Sequence, residues 1–522
     1  MTSRFSAEHI VVWIVLGFTL LLYLFFLNNS PAASGDQTYY ITLGGSLAAG
    51  QGFREIWTPR QSPHVLYPFM YPVILSIPIR FFGYNYCIMR LVNLLFLLGS
   101  VAMLYFLLRP RAEKLIVWSV LALTAVSCGI FFYVFRVLTE IPYLFFSLLG
   151  LIALRRYIDG TAVLSRRLIF SVVVVACAYF IKVNGAALVL AAAVFLIAEK
   201  GRGHSSRNAL WKAAAFVTAL ALIMGAGGLR NIIALQHGGS TDYLYHAGLF
   251  IRSFDTHGPL FFLRLLAQNL YSFAFYSIPY VVSGVVFGSR NWLAFLLTAL
   301  LAVGFAVSYI KKRGIIDYYF LAYIVLLFIV PYTSYCRRYF VPLTPFIYYY
   351  FLEGLFAAGA PLRRLVAARF DIMKIIAGMC VIYSLAMIGA YVSDSAHYKE
   401  LSAAQVNDVV ATARWIDSRI PRDKVFLSFT PPHVYLYFKR QCLQLPYVIE
   451  KALYRFSGDS PRPEADYIIV SDTYLESESE MLLKDFYNVI PTVPGVVEIY
   501  RCNTFTIYEI MKNQAPPAPA GR

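Results

Sequence analysis

Charged residues are scarce in this sequence. Only 14% of its 522 residues are Asp, Glu, Lys or Arg, whereas 59% are hydrophobic. An average soluble protein carries about 25% charged residues. Apolar runs of about 20 residues, the length that crosses a bilayer as a helix, recur along the chain as far as Tyr391. The composition therefore predicts a polytopic α-helical membrane protein.

The sequence also lacks several motifs that carry known chemistry. It contains no G-x-x-x-x-G-K-[ST], no G-x-G-x-x-G between a strand and a helix, and no H-E-x-x-H. ATP-driven transport and nucleotide-sugar chemistry in the cytoplasm thus lose their simplest support. The seven Cys form no C-x-x-C and no metal-type spacing, so no metal site is indicated. Cys442 and Cys502 are candidates for a disulfide if the polar C-terminal segment is extracytoplasmic.

The basic residues predict one orientation in the membrane. The formal charge is +17, but Lys and Arg fall in short clusters between apolar runs, which is typical of membrane topology rather than of nucleic-acid binding. If the N-terminus is cytoplasmic, each cluster faces the cytoplasm. About eleven transmembrane helices are predicted in this way. The clusters lie at 109–114, 155–167, 200–212, 311–313 and 363–374.

Three segments are predicted from this topology. Residues 1–391 form the transmembrane part, with long outer loops at 28–84 and 230–290, and the stretches 67–83 and 271–282 suit the membrane interface. Residues 392–510 combine a helical pattern at 403–417 with alternating strand patterns, which predicts a small extracytoplasmic α/β domain. Residues 511–522 form a disordered tail. The predicted strands are 424–429, 434–438, 466–471, 496–500 and 504–510.

Acidic and basic residues gather at the predicted outer face. Asp36 follows the first helix, Glu140 lies in a short connector, Lys182 lies at a helix turn, and Arg338 precedes a late helix. Each cation alone is consistent with an interface anchor whose side chain reaches toward the headgroups. Together, a carboxylate that accepts a proton and cations that hold a phosphate suit the activation of a hydroxyl.

Six short motifs resemble one enzyme family. The motifs are "SGDQTYYITLGGSLAAGQGF", "YPFMYPVIL", "TEIPY", "KVNGAAL", "LRN" and "RRYFVPLTP". Their order and placement are similar to those of the C-superfamily of integral membrane glycosyltransferases. Within it, the sequence resembles most the branch of protein O-mannosyltransferases and lipid A aminoarabinose transferases. The likeness extends over essentially the whole chain.

The resemblance implies a site. Its first-loop acid, here Asp36, is the catalytic base, and its second acid is Glu140. Its basic residues at the outer turn between the fifth and sixth helices and before the late helix are Lys182 and Arg338, which would bind the donor phosphate. Many relatives have Asp-Glu where this chain has Asp36-Gln37. Further candidates are Arg60 and Arg230 for phosphate, and Tyr39, Tyr67, Tyr71 and His64 for acceptor or lipid.

The predicted function is transfer of a sugar from a polyprenyl-phosphate donor to a hydroxyl of a glycan, lipid or protein, with inversion, at the outer face of the cytoplasmic membrane. The chain would need no cofactor, and a divalent metal is left open. Its expected partners are the lipid-linked sugar, the acceptor and membrane lipids. Nucleic acid is not expected as a partner. Two alternatives remain: a flippase or transporter of lipid-linked glycans, and a non-catalytic assembly subunit on the same scaffold. A transporter would spread its charges through the membrane, whereas these cluster at one face.

Overall fold

The computed structural model describes residues 7–30, 35–198, 206–236, 259–285, 291–329, 337–365, 372–445, 465–471, 490–493 and 495–511. Most of these residues are helical. The α-helices are α1 (Ala7–Phe26), α2 (Asp36–Ala48), α3 (Met70–Phe82), α4 (Tyr86–Leu108), α5 (Lys114–Val126), α6 (Cys128–Val134), α7 (Glu140–Ile158), α8 (Arg166–Ile181), α9 (Ala186–Ala198), α10 (Ser206–Gln236), α11 (Pro259–Ser272), α12 (Ile278–Ser283), α13 (Trp292–Lys312), α14 (Ile315–Ile329), α15 (Thr344–Leu365), α16 (Ile372–Arg419) and α17 (Pro431–Phe438). Short 3₁₀ helices occupy Val183–Gly185, Arg337–Leu343 and Ile490–Thr492, and a π-helix occupies Phe273–Ser277.

Several of these helices have the length and composition of membrane spans. Within the described ranges, α1, α4, α7, α10 and α13 meet both criteria, and α5 with α6 adds a sixth span if the pair crosses together. The chain bends by 48° between α5 and α6. Ser127 has the non-helical angles φ −57° and ψ 130° at that bend. The chain is a multi-pass membrane protein, and the number of about eleven spans stays a prediction.

Glycines bring two of these helices into close contact. A Cβ placed on Gly304 of α13 would collide with the carbonyl of Tyr350 in α15, and one placed on Gly354 of α15 would collide with the carbonyl of Leu300 in α13. Small residues at helix crossings allow this approach where lipid offers no hydrophobic driving force. The crossing fixes α15, which follows directly on the 3₁₀ helix that carries Arg338.

The predicted outer loop at 28–84 contains two helices. The sequence analysis missed α2, and Asp36 is its first residue rather than a loop residue. Gly35 precedes it with φ +75°, a conformation that favours glycine, and so allows the chain to turn into the helix. With 13 residues, α3 is too short to span a bilayer, and it packs on Gly44 of α2 through Leu75 and Ile79. The segment thus holds Asp36 on a rigid element.

Part of the C-terminal segment forms a five-stranded mixed sheet. Its strands are β1 (Phe426–Ser428), β2 (Cys442–Gln444), β3 (Tyr467–Ser471), β4 (Val496–Arg501) and β5 (Phe505–Ile510), arranged in the order β2-β1-β3-β5-β4. The predicted strand at 434–438 is wrong, because these residues belong to α17. Pro431 and Pro432 fit the first turn of a helix, where the amide hydrogens have no intrahelical partner. Cys442 and Cys502 are free thiols near opposite edges of the sheet.

Three further predictions concern boundaries. The outer loop predicted at 230–290 does not begin at residue 230, because α10 continues to Gln236. The predicted boundary at 391–392 falls inside α16, a 48-residue helix that leads into the segment of the sheet. The predicted disordered tail at 511–522 lies outside the described residues except for Met511.

Candidate active site

Asp36 is held by two side chains from distant parts of the sequence. Its Oδ2 lies 2.6 Å from Nη2 of Arg338, and the hydroxyl of Tyr67 donates a hydrogen bond of 2.6 Å to its Oδ1. The Asp36 side chain remains 23% exposed and that of Arg338 28% exposed. A ligand can therefore reach both groups.

Glu140 and Lys182 form a buried ion pair beneath them. The two side chains are 0% and 8% exposed, and Nζ of Lys182 lies 2.7 Å from Oε1 of Glu140. The same Oε1 lies 3.2 Å from Nε of Arg338, so this guanidinium bridges both carboxylates. The ring of Tyr339 packs against Lys182 and Arg338, at 4.9 Å and 5.7 Å from its centroid. The four charged residues, together with Tyr67, are called the outer cluster below.

The charges of the outer cluster set the protonation of Asp36. Burial acts to raise the pKa of Asp36, but the Arg338 guanidinium and the hydrogen bond from Tyr67 outweigh it and lower that pKa. The position of Asp36 in the first turn of α2 adds to the stabilisation of its charge. Burial raises the pKa of Tyr67, so its hydroxyl stays protonated and donates. Asp36 is thus an ionised carboxylate with an accessible face.

A second group of predicted residues lies on the other side of Tyr67. The His64 ring stacks on the Tyr67 ring with 5.6 Å between centroids. Its Nε2 accepts a hydrogen bond from the Tyr67 backbone, so Nδ1 donates to Glu55 at 2.9 Å. Arg230 donates to the His64 carbonyl at 3.0 Å and lies over the ring of Phe53. The structure therefore places Arg230 against the 53–64 segment.

The remaining predicted residues have separate positions. The ring of Tyr39 lies 5.1 Å from that of Tyr67. Tyr71 is fully buried, and its hydroxyl donates to Oδ1 of Asn93, which places it in the core below the outer cluster. Arg60 is exposed, in the turn that ends at Gln61.

Two residues that the sequence analysis missed brace the site. Arg90 is buried and donates to the carbonyls of Asn28, Ser30 and Phe135 at 2.6 to 2.9 Å, so it ties the end of α1 to the connector before Glu140. Asn93 donates to the carbonyl of Arg136 at 2.7 Å. A charged residue inside the apolar run of α4 is the signal for Arg90, since such residues are costly unless they have a role.

Gln37 belongs to the same bracing. It is buried, and its side-chain oxygen accepts a hydrogen bond of 3.1 Å from the backbone of Val137. It therefore helps to position the connector that leads to Glu140. Among the described residues, no group of three or more His, Cys, Asp or Glu is arranged to hold a metal ion.

Comparisons with known proteins agree with this architecture. Residues 67–226 match the family model of dolichyl-phosphate-mannose-protein mannosyltransferases. ArnT from Cupriavidus metallidurans, solved with undecaprenyl phosphate bound, matches 98% of this chain over 100% of its own, with a TM-score of 0.56 and 10% identity. The fold of this chain is therefore similar to that of ArnT over nearly its whole length. The resemblance predicted from the sequence is confirmed.

A second solved protein has a similar fold. The oligosaccharyltransferase AglB from Archaeoglobus fulgidus, solved with an inhibitory peptide and a dolichol-phosphate, matches 97% of this chain over 75% of its own, with a TM-score of 0.54 and 12% identity. No curated protein sequence matches the chain. Both of these proteins were solved with a polyprenyl phosphate bound, and this chain carries the outer cluster on a similar fold.

Proposed function

We propose that the protein transfers a sugar from a polyprenyl-phosphate donor to an acceptor hydroxyl, with Asp36 as the base. The observation that supports this most is the contact of Arg338 with Asp36 at 2.6 Å, at a position where both side chains are accessible. A base and a fixed cation lie side by side there. A single displacement at an anomeric carbon needs these two groups.

The reaction follows from the chemistry of its parts. The acceptor hydroxyl loses its proton to Asp36 as its oxygen forms a bond to C1 of the sugar. The bond from C1 to the phosphate oxygen breaks, and the electron pair leaves with the polyprenyl phosphate. Attack opposite to the leaving group inverts the configuration at C1. A phosphate leaves as an anion and needs no general acid, in contrast to the leaving group of a glycosidase.

Arg338 stabilises the charge that develops on the leaving phosphate. A guanidinium has five N–H donors in a planar fork and stays protonated, so it serves both Asp36 and a phosphate. Lys182, predicted to bind the phosphate, is buried, and in this proposal its ammonium neutralises Glu140. Glu140 and Lys182 then position the guanidinium from below.

The donor lipid and the membrane orientation complete the proposal. Helix α3 exposes Ile77, Phe81 and Phe82, which provide an apolar surface for the polyprenyl chain.

The outer cluster and the C-terminal sheet lie on the extracytoplasmic side of the cytoplasmic membrane, because the basic clusters of the other connections face the cytoplasm. Labelling of a cysteine introduced at position 311 from outside would contradict this orientation.

A transfer assay tests the function. Purified protein is incubated with labelled polyprenyl-phosphate sugars and cell-envelope acceptors, and labelled product is counted. Asp36→Asn is expected to lower turnover by about 10²- to 10⁴-fold, the contribution of a general base. Asp159→Asn is the matched control, since Asp159 is exposed at the end of α7 and pairs only loosely with Arg155 at 3.8 Å.

The same assay separates the alternatives. A non-catalytic subunit would give no product with the wild type, and a transporter would move a lipid-linked glycan across vesicles without consuming it. Wild-type turnover that Asp36→Asn leaves unchanged would reject the base. Loss of turnover in Asp159→Asn as well would show that the assay responds to something other than the site.

A further inference from the structure

An open recess lies beside the outer cluster, between the first outer segment and the C-terminal sheet. The space that it bounds, part of which is open to solvent, is about 330 Å³. Most of its wall comes from the 55–66 segment, with Tyr39 from α2, Pro431 from α17 and Gln444 from the end of β2. Its lining residues are Tyr39, Glu55, Trp57, Thr58, His64, Leu66, Pro431 and Gln444.

Two hydrogen bonds fasten the two walls together. The backbone N–H of Cys442 in β2 donates to the carbonyl of Trp57 at 2.7 Å. The hydroxyl of Tyr39 donates to Oε1 of Gln444 at 3.3 Å. These hydrogen bonds join the two walls of the recess, and the C-terminal sheet helps to form it.

The polar groups of the recess are mostly hydrogen-bond acceptors. The carboxylate of Glu55 receives one hydrogen bond from His64. The amide nitrogen of Gln444 donates to the carbonyls of Phe429 and Leu445, and its oxygen accepts from Tyr39, so that only a second acceptor position on this oxygen is open to a ligand. The hydroxyl of Thr58 donates to the carbonyl of Glu55. A ligand that fits must bring donors.

This chemistry selects one class of ligand. The negative charge of Glu55 disfavours a phosphate. A lipid chain would cover the polar groups of Glu55, Thr58 and Gln444 without offering them hydrogen bonds, which is costly. A peptide brings as many carbonyl acceptors as N–H donors, and its carbonyls would face other acceptors. Each sugar hydroxyl can donate, and the half-buried ring of Tyr39 offers an apolar surface to the C–H groups of a sugar.

Tyr67 connects the recess to Asp36. Tyr67 donates to Asp36 through its hydroxyl, while its ring contacts Tyr39 at 5.1 Å and stacks on His64. Tyr39 follows Asp36 by three residues on α2, which puts both on the same face of the helix. A molecule held in the recess would therefore lie beside Tyr67, whose hydroxyl is hydrogen-bonded to Asp36.

We infer that the recess binds the saccharide end of the acceptor, so that the protein extends or decorates an existing glycan. The inference rests on the proposed function. The C-terminal sheet then takes part in acceptor recognition through Gln444. A serine or threonine of a protein is not the acceptor in this scheme.

Binding of simple glycosides tests the inference without turnover. Saturation-transfer NMR is recorded on the full-length protein in nanodiscs with methyl glycosides of glucose, galactose and mannose, and with the peptide acetyl-Ala-Thr-Ala-amide. At least one glycoside is expected to bind saturably, and the peptide is not. Glu55→Gln keeps the shape and removes the charge, and is expected to weaken glycoside binding about tenfold. Tyr39→Phe removes the bond to Gln444 and is expected to weaken it in the same direction.

A carboxylate far from the recess provides the control. Glu498→Gln changes an exposed carboxylate of β4 that pairs with Arg501, and should leave glycoside binding unchanged. Glycoside binding that Glu55→Gln and Tyr39→Phe leave intact, or binding of the peptide alone, would overturn the inference. Release of polyprenyl phosphate from the donor is measured in parallel. If glycosides bind and no donor is ever consumed, the proposed function fails while the saccharide site stands.

Discussion

Arg338 lies 2.6 Å from Oδ2 of Asp36 although 302 positions separate them in the sequence, and the same guanidinium lies 3.2 Å from Oε1 of Glu140. One cation thus links the accessible acid to the buried one. The charge of Arg338 keeps Asp36 ionised. A phosphate bound to the same guanidinium weakens the interaction between Arg338 and Asp36. The binding of donor and the basicity of Asp36 are therefore coupled through Arg338.

Loss of the Arg338 charge should change the pH dependence of transfer. Asp36 acts as a base only when ionised, and its lowered pKa keeps it ionised into the acid range. In Arg338→Met the effect of burial is opposed by less positive charge, so the pKa of Asp36 rises and the acidic limb of kcat/KM moves to higher pH. The limb is measured between pH 4 and 8. Arg338→Lys keeps a charge and should move it less, whereas an unmoved limb in Arg338→Met would contradict the coupling.

Tyr67 should act as a positioning residue for the base. Its hydroxyl donates 2.6 Å to Oδ1 of Asp36, and a hydrogen bond to a charged group contributes about 1.5–3 kcal/mol. Tyr67→Phe is expected to lower kcat about tenfold and to move the acidic limb upward, because one group that lowers the pKa of Asp36 is removed. Tyr105→Phe, which removes a hydroxyl bonded to Glu8, is the control. A lower kcat with an unmoved limb would reject the role.

Substitutions of Glu140 and Lys182 should have coupled effects on the stability of the protein, because the two side chains form a buried ion pair. Glu140→Gln leaves the buried Lys182 charge without its carboxylate, whereas Lys182→Met leaves Glu140 with Arg338 alone. Removal of one partner of a buried pair costs about 3–5 kcal/mol. Lys182→Met and Glu140→Gln are each expected to lower the thermal midpoint, and the double variant to recover part of the loss. Arg155→Met with Asp159→Asn, an exposed pair, should show no such pattern. Additive losses in the buried pair would contradict the coupling.

Much of the outer cluster is predictable from the sequence because topology constrains it. Basic clusters in other connections assign Asp36, Glu140, Lys182 and Arg338 to one face, and the structure brings these four together. Which acid each cation pairs with is a tertiary property. Lys182 was predicted to face a phosphate, whereas it is buried against Glu140. Only the packing of α7 and the segment after α8 determines that contact.

Two helices had local sequence signals that a stronger neighbouring pattern concealed. The alternation in "VYLYF" favours a strand, but the two prolines before it begin a helix that ends at Lys439 in a left-handed conformation. Gly35 before Asp36 is a signal for the start of α2 that the polar character of the loop obscured. The pairing of Glu55 with His64 and the contact of Tyr39 with Gln444 join segments that the sequence alone does not relate.

Transfer should not depend on a divalent metal. A metal between Asp36 and Glu140 would have to displace the guanidinium that already lies 2.6 Å and 3.2 Å from their oxygens, and Lys182 adds a second positive charge there. Gln37 supplies an amide where a third carboxylate would strengthen a metal site, and its oxygen is engaged by Val137. Dialysis against EDTA, with Mg²⁺ or Mn²⁺ then added back, is expected to leave the rate of transfer within about twofold, since the cations that meet the leaving phosphate belong to the protein itself. A rate that EDTA abolishes and a metal restores would show that the carboxylates exchange Arg338 for an ion during turnover.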